Sequence, residues 1–293
     1  MKVAIVHDYI KDFGGAERVL EALHEIWPDA PVFTTVYLPE FLGPHRERFK
    51  NWKIKTSFLQ YIPFKEKLIS PFRLIAPFVF KQFDFSQFDV VIVSATGAYS
   101  PNGLKIKNQK SKIKNTIQIS YCHTPPRYLY GYATARDWKK KIVFRVLGEI
   151  ANHFLRLVDF KSAQNVDFFI ANSKNVAERI KKFYRKDSTV IYPPVNIASS
   201  SSASSVQLEN KKLDTNELAA RRYFVAGGRL ARPKHIDLII KTFEKLKLPL
   251  KIFGREFGGN GFTHNAKLLT HNPSIEFLGE VSDEEKLELM KNA

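Results

Sequence analysis

"KVAIVHDYIKDFGGAERVLEALHEIW" (residues 2–27) contains, in order, the parts of one α/β unit. Residues 2–9 are a short run rich in Val and Ile that does not alternate with polar residues, which reads as a strand buried on both faces. Gly14 and Gly15 follow in a loop, and residues 16–27 then set Val19, Leu20, Leu23, Ile26 and Trp27 on one helical face. Glycines at such a junction let a bound group approach the backbone and leave helix N–H groups aimed at negative charge. The pair is not the G-x-G-x-x-G dinucleotide fingerprint, and a plain packing turn accounts for it equally well.

The pattern then repeats along the chain. Residues 31–37, 88–96, 116–124, 166–173 and 188–195 read as further strands, and residues 173–184 as a helix with Ser173 at its N-cap. Strands alternating with helices predict a doubly wound parallel sheet over residues 1–196. Residues 197–222 are serine-rich and aperiodic, the composition of a linker or surface loop. A second α/β series follows over residues 223–293: strand 223–228, helix 235–246, strands 248–254 and 274–281, and a helix opened by Ser282 or Asp283. Two such domains are expected to hold a ligand in the cleft at the carboxyl ends of their strands. The second series is short of the about 100–150 residues of a typical domain, and its last helix meets no Gly or Pro stop. An incomplete C-terminal domain is the expectation.

Charge narrows the partners. The net charge of +17 sits in three basic segments of the first half, residues 45–83, 105–114 and 127–145. An anionic partner is expected there: nucleic acid, acidic lipid or a phosphorylated ligand. The lysines accompany no recognition fold or aromatic RNA motif, which argues against nucleic acid. Residues 61–83, "YIPFKEKLISPFRLIAPFVFKQF", interleave cations with Phe, Leu and Ile. Such a segment either lies in an anionic membrane interface as a peripheral contact or forms a core helix with a basic rim. No segment reaches the about 20 apolar residues of a membrane span. The one cysteine, Cys122, excludes an internal disulfide and reads as a buried strand residue, so the cytoplasm, or the inner face of its membrane, is the expected location.

Two constellations carry candidate chemistry. "GGRLARPKHID" (227–237) places Arg229 after a strand and Lys234 at the mouth of the next helix, where a guanidinium fork and an ammonium suit a diphosphate. "SYCHTPPRYLYGY" (120–132) puts His123 at a strand end, with Pro125 and Pro126 fixing the loop. Tyr128, Tyr130 and Tyr132 are offered there as flat surfaces for a sugar or base. No serine elbow or reactive cysteine accompanies His123, so a nucleophilic triad is not expected. Nor is there an Asp-x-Asp motif, and no metal is called for.

The stretches "HDYIKDFGGAERVL", "YCHTPPRYLY", "FIANSKNVAERI", "VIYPPV", "GGRLARPKHIDLII" and "IEFLGEVSDEEKLELMKNA" together carry a resemblance. The chain resembles the family 4 glycosyltransferases, retaining GT-B enzymes that use nucleotide-activated sugars. "YCHTPPRYLY" looks most like the branch that builds bacterial cell-surface polysaccharide, often as mannosyltransferases. The resemblance implies two Rossmann-like domains facing a cleft, the donor held mainly by the second and the acceptor by the first. Residue by residue, Arg229 and Lys234 match the diphosphate-binding pair, and Gly14 and Gly15 the loop that closes on the donor phosphate. His123 matches a catalytic histidine beside the transferred sugar, and Gly254 and Val281 border the nucleotide base. The implied reaction moves a hexose from a nucleoside-diphosphate sugar to a glycan or lipid-linked acceptor, without a metal. The chain departs from the pattern in its serine run at 198–205 and in lacking the family's later glutamate-containing donor segment. A truncated, non-catalytic remnant that binds nucleotide sugar weakly or not at all is the alternative. A nucleotide-sugar epimerase fits "GGRLARPKHID" less well.

Overall fold

Among the described residues seven parallel strands make the sheet of the first unit: β1 (Val3–His7), β2 (Val32–Thr34), β3 (Ile54–Thr56), β4 (Val90–Ala95), β5 (Ile117–Cys122), β6 (Phe168–Ala171) and β7 (Ser188–Val190). The computed structural model describes residues 1–104, 106, 116–132, 134, 142–195, 223–228, 230, 234–254, 270 and 272–293. The strand order is β3-β2-β1-β4-β5-β6-β7, so the winding reverses between β1 and β4. In open parallel sheets that reversal opens a crevice at the carboxyl ends of the strands.

β1 shows why its sequence has no alternation. Ala4 and Val6 enter one core with Phe33, Phe80, Phe85, Val91 and Val93. Val3 and Ile5 enter the other with Leu20, Val32, Phe49 and Ile92. Both faces of the strand are covered, so both sets must be apolar. Helix α1 (Gly15–Ile26) covers one face, with Val19 and Leu20 buried. On the other face, Phe33 lies with its ring centroid 5.2, 4.8 and 5.9 Å from those of Phe83, Phe85 and Phe88. Helix α5 (Lys174–Tyr184) starts as expected, Ser173 Oγ accepting the Val176 N–H at 3.3 Å.

Three features depart from the expectation. Residues 61–83 are not one helix. Prolines 63, 71 and 77 divide the stretch, leaving a 3-10 turn (Phe58–Tyr61), α2 (Lys65–Phe72), α3 (Ala76–Val79) and a second 3-10 turn (Phe80–Gln82). Edge strand β3 was not foreseen, because three half-exposed residues show no apolar period. Nor was α4 (Ile142–Gln164), whose outer face bears exposed Val146, Ile150 and Phe154 and so blurs the amphipathic pattern.

Met1–Tyr132 and Lys141–Asn196 form one compact unit, and the described residues from Tyr223 onward belong to a second. Among its described residues the second has three parallel strands, β8 (Phe224–Gly227), β9 (Leu250–Phe253) and β10 (Ile275–Gly279), in the order β10-β9-β8. Helix α6 (Ile236–Leu246) buries Ile236 and Ile240 against Leu250, Ile252 and Ile275. Helix α7 (Asp283–Lys291) opens on a reciprocal cap: Ser282 Oγ accepts the Glu285 N–H at 3.1 Å, and Glu285 accepts the Ser282 N–H at 2.7 Å. The serine-rich stretch 197–222 lies outside the described residues.

Phe33 joins three other rings in a filled core, so Phe33→Ala should lower the unfolding free energy of the first unit by about 3–5 kcal/mol. Urea denaturation followed by far-UV circular dichroism measures this. A loss below about 1 kcal/mol would mean that the aromatic cluster does not hold the sheet.

Candidate functional site

The registers bring three side chains to one level at the reversal of the sheet. His7 of β1 pairs with Ser94 of β4, and Ala95 of β4 with Cys122 of β5, which places His123 next to them. Ser94 Oγ lies 3.1 Å from His7 Nδ1 and 3.1 Å from His123 Nε2. On the far side of His7, Nε2 is 3.7 Å from Glu17 Oε1 in α1, and Glu17 Oε2 accepts the Gly14 N–H at 2.9 Å. His7 and Ser94 are fully buried, and His123 is partly exposed.

This chain has a direction. Burial pushes the Glu17 carboxyl up, but its contacts with His7 and the Gly14 amide outweigh that and hold it below its ordinary value, so it is anionic. A carboxylate beside His7 Nε2 favours the tautomer with hydrogen on that nitrogen. His7 Nδ1 is then an acceptor and takes the single Ser94 hydroxyl hydrogen. Ser94 oxygen in turn accepts from His123 Nε2–H, which leaves His123 Nδ1 with a lone pair and no partner among the described residues. Burial, with His7 adding, lowers the His123 pKa to about 4. At neutral pH this ring is a neutral hydrogen-bond acceptor, suited to a substrate hydroxyl.

Beside the chain, Asp8 anchors the loop after β4. Its Oδ2 accepts the N–H groups of Thr96, Ala98 and Tyr99, each at 3.2 Å, and the Thr96 hydroxyl. Asp8 is fully buried, and desolvation raises its pKa despite His7 and these donors. A second buried carboxyl, Asp159 of α4, accepts the Tyr130 hydroxyl at 2.8 Å. Burial lifts its pKa to about 6, against the pull of the Ser100, Tyr130 and Tyr184 hydroxyls.

The residues singled out in the sequence fall unevenly on this geometry. His123 stands at the strand end as expected, and Cys122 is buried in β5. Gly14 is the N-cap of α1 and Gly15 its first residue. A Cβ on Gly15 would meet no atom within 4 Å, so packing does not require glycine there. The Gly14 amide, expected to face a ligand, is taken by Glu17 instead. The three tyrosines are not open platforms. Tyr128 is buried under the Arg73 guanidinium, Tyr130 stacks on Phe183 at 4.1 Å, and Arg179 lies 4.3 Å from the Tyr132 ring.

In the second unit, Lys234 is exposed and directly precedes His235, the N-cap of α6; Arg229 lies outside the described residues. Gly254 has a structural reason to be glycine. Its φ is +133°, and a Cβ there would sit 1.8 Å from the Gly228 carbonyl oxygen. Its N–H donates to the Gly279 carbonyl at 2.6 Å, two residues before Val281. Val281 lines a cavity of about 450 Å³ with Tyr223, Lys251, Glu280, Glu285 and Glu288. Three carboxylates against one ammonium make that cavity unfavourable for phosphate.

Sequence reading missed His7, Asp8, Glu17 and Ser94. The available signal was a His-Asp pair closing an otherwise apolar run, "VAIVHD", together with a serine inside "VVIVSA". Polar residues at such points are either covered by partners or exposed to a ligand.

A parallel sheet wound both ways from β1 and β4, followed by a second parallel α/β unit, is the architecture of the GT-B glycosyltransferases. Two solved structures share it. The lipopolysaccharide outer core galactosyltransferase WaaB, in its apo form, is 16% identical over 99% of this chain and 71% of its own, with a TM-score of 0.52. Alr3699/HepE of Anabaena, in complex with UDP, is 17% identical over 98% of this chain and 71% of its own, with a TM-score of 0.54. A search of curated proteins by sequence gives no match. The sequence profile of Glycosyltransferase Family 4 matches residues 13–199, and the chain belongs to that family.

Two measurements test the site. If Glu17 sets the direction of the chain, ¹⁵N shifts at pH 7 should show the Nε2–H tautomer of His123, and Glu17→Gln should populate the Nδ1–H form. An unchanged tautomer would refute the coupling. The two shifted groups also oppose each other in stability. His123 titrates lower folded than free, so its contribution is present above about pH 6.5 and is lost as pH falls through 4. Asp159 titrates higher folded than free, so its contribution is present at low pH and is lost as pH rises through 6. Relative to the native chain, Asp159→Asn should therefore gain about 2 kcal/mol between pH 4 and pH 7.5. Equal pH slopes in urea titrations of the two proteins would contradict the burial argument.

Proposed function

We propose that the protein transfers a hexose, mannose in this reading, from a nucleoside-diphosphate sugar to a hydroxyl of a glycan or lipid-linked acceptor in cell-surface polysaccharide synthesis, with retention at the anomeric carbon. The observation that carries the reading is the neutral His123 imidazole, held at the carboxyl end of β5 with Nδ1 unpartnered. Ser94 fixes the ring from behind, so this lone pair can orient a hydroxyl of the transferred sugar without taking its proton. Family membership supports the transferase class, and UDP in HepE agrees with a nucleoside-diphosphate donor.

In the reaction the bond from the anomeric carbon to the diphosphate oxygen breaks and the acceptor oxygen bonds to that carbon. The acceptor proton leaves to the departing diphosphate. Negative charge grows on the leaving group, and the reading assigns its stabilisation to Arg229 and Lys234, with no metal ion. We place the enzyme in the cytoplasm, where a single buried thiol and a nucleotide-sugar donor are both at home.

Titration calorimetry against GDP-, UDP- and ADP-sugars should give binding to one class. Arg229→Ala and Lys234→Ala should each reduce turnover about 10²–10³-fold, as loss of one preorganised charge-stabilising group does. His123→Ala should lower kcat with the donor still bound. Absence of binding to all three classes, or near-normal turnover in both cation variants, would overturn the reading.

A further inference from the structure

The outer side of residues 58–81 presents an unusual surface. Leu59, Phe72, Ala76, Val79 and Phe80 point into the core, with Ile62, Leu68 and Ile69 packed against it. The residues between them point away. Tyr61 is 84% exposed, Phe64 69%, Phe58 53% and Phe78 51%, with Leu74 and Ile75 also exposed. Scattered exposed apolar residues are ordinary, but four aromatic rings and two aliphatic side chains on consecutive short elements are a patch that calls for a partner.

The cations are placed with the rings. Lys67 lies 5.6 Å from the Phe64 ring centroid, and Lys81 lies 5.4 Å from that of Phe78. Neither these nor Lys65 forms a salt bridge with a described residue, and Glu66 is the only acid between Ile54 and Phe83. Aromatic rings flanked by ammonium groups match the boundary between lipid headgroups and acyl chains, where the rings bury and the cations meet phosphate. Phe64 is also held at φ +57° as the N-cap of α2, a left-handed conformation unfavourable for a bulky residue, with its ring outward. Among the described residues no helix is long and apolar enough to cross a membrane, so the contact is with the surface layer.

The same segment is tied to the catalytic end of the sheet. Lys11 Nζ, in the loop after β1, donates to the Glu66 carbonyl at 2.9 Å. Tyr99, whose N–H donates to Asp8, donates its hydroxyl to the Ile69 carbonyl at 2.8 Å. We propose that the outer face of residues 58–81 docks the protein on an anionic lipid bilayer. Tyr61, Phe64 and Phe78 enter the headgroup–acyl boundary, and Lys65, Lys67 and Lys81 meet the lipid phosphates. A hydroxyl presented at a bilayer surface would then arrive beside the loops that carry Asp8 and Tyr99. The surface stands apart from the donor chemistry, and its assay contains no sugar.

Sedimentation with vesicles of phosphatidylcholine, alone or mixed with phosphatidylglycerol, tests it on the full chain. The native protein should partition to the mixed vesicles at least tenfold better than to the neutral ones, with binding falling in high salt. Lys67→Gln with Lys81→Gln should weaken that partition about thirtyfold, following the contribution of each cation near an anionic surface. Lys181→Gln with Lys182→Gln, the same loss of charge on α5, should change it less than fivefold. Phe64→Ser with Phe78→Ser, charges intact, should weaken binding tenfold or more, circular dichroism confirming that each variant folds. Equal partition to both vesicle types would overturn the proposal, as would equal effects of the two lysine pairs or native binding by the serine variant. Reversible self-association in the ultracentrifuge that the serine variant abolishes, without any change in vesicle binding, would assign the patch to a second copy instead.

Discussion

One buried carboxylate organises the carboxyl end of the sheet in the first unit. Asp8 has no contact with solvent, and its Oδ2 gathers three backbone N–H groups and a hydroxyl from residues 96–99. Its own carbonyl accepts the Thr35 N–H at 3.2 Å, so it binds the strand ends of β2 and β4 to that of β1. A carboxylate in this position costs free energy unless it is hydrogen-bonded, so the loop that supplies the donors is held wherever Asp8 is. Tyr99 extends the constraint outward, one end on Asp8 and the other on the backbone of α2. Ser94 lies in β4 two residues before Thr96, so its position depends on this anchor.

Much of this was legible in the sequence. The period of the apolar runs predicts a doubly wound parallel sheet, because a strand covered on both faces cannot alternate, and β1 sends Ala4 and Val6 to one core and Val3 and Ile5 to the other. His123 was legible from its place after an apolar run. His7, Asp8 and Ser94 were not, because a polar residue that ends or interrupts a buried run looks the same whether it holds the fold together or faces a ligand. Only pairing across strands distinguishes the two, and that pairing joins residues 87 positions apart. The edge strand and the broken helix at 61–83 escaped for local reasons: a strand of three residues has no period, and three prolines override an amphipathic pattern.

The glycine pairs make the same point more sharply. Gly14-Gly15 and Gly227-Gly228 look alike in sequence, each between a strand and a helix. In the second unit a Cβ on Gly227 would strike the Phe253 ring at 2.2 Å, whereas one on Gly228 would meet nothing within 4 Å and that residue is held at φ +111°. In the first unit nothing lies within 4 Å of a Cβ on Gly15. Gly227 therefore closes a contact in one unit, and Gly15 leaves space beside a helix N-terminus in the other. What distinguishes them is the bulk of the next strand's end, Phe253 being the decisive residue.

The protonation states suit this arrangement. A histidine ordinarily titrates close enough to neutrality to carry a partial charge, and a charged ring at His123 would have no lone pair to offer. Burial is the main feature that keeps it neutral, because desolvation penalises the charged ring. The Glu17 carboxylate, 3.7 Å from His7 Nε2, favours the hydrogen on that nitrogen and leaves Nδ1 to Ser94. The site thus separates its negative charge, held at the Glu17 end against a helix N-terminus, from the neutral acceptor at the His123 end. A leaving group gaining negative charge near His123 would meet an uncharged ring with no positive charge to offer. In the proposed reaction the charge-stabilising cations are therefore a separate requirement, which that proposal assigns to Arg229 and Lys234.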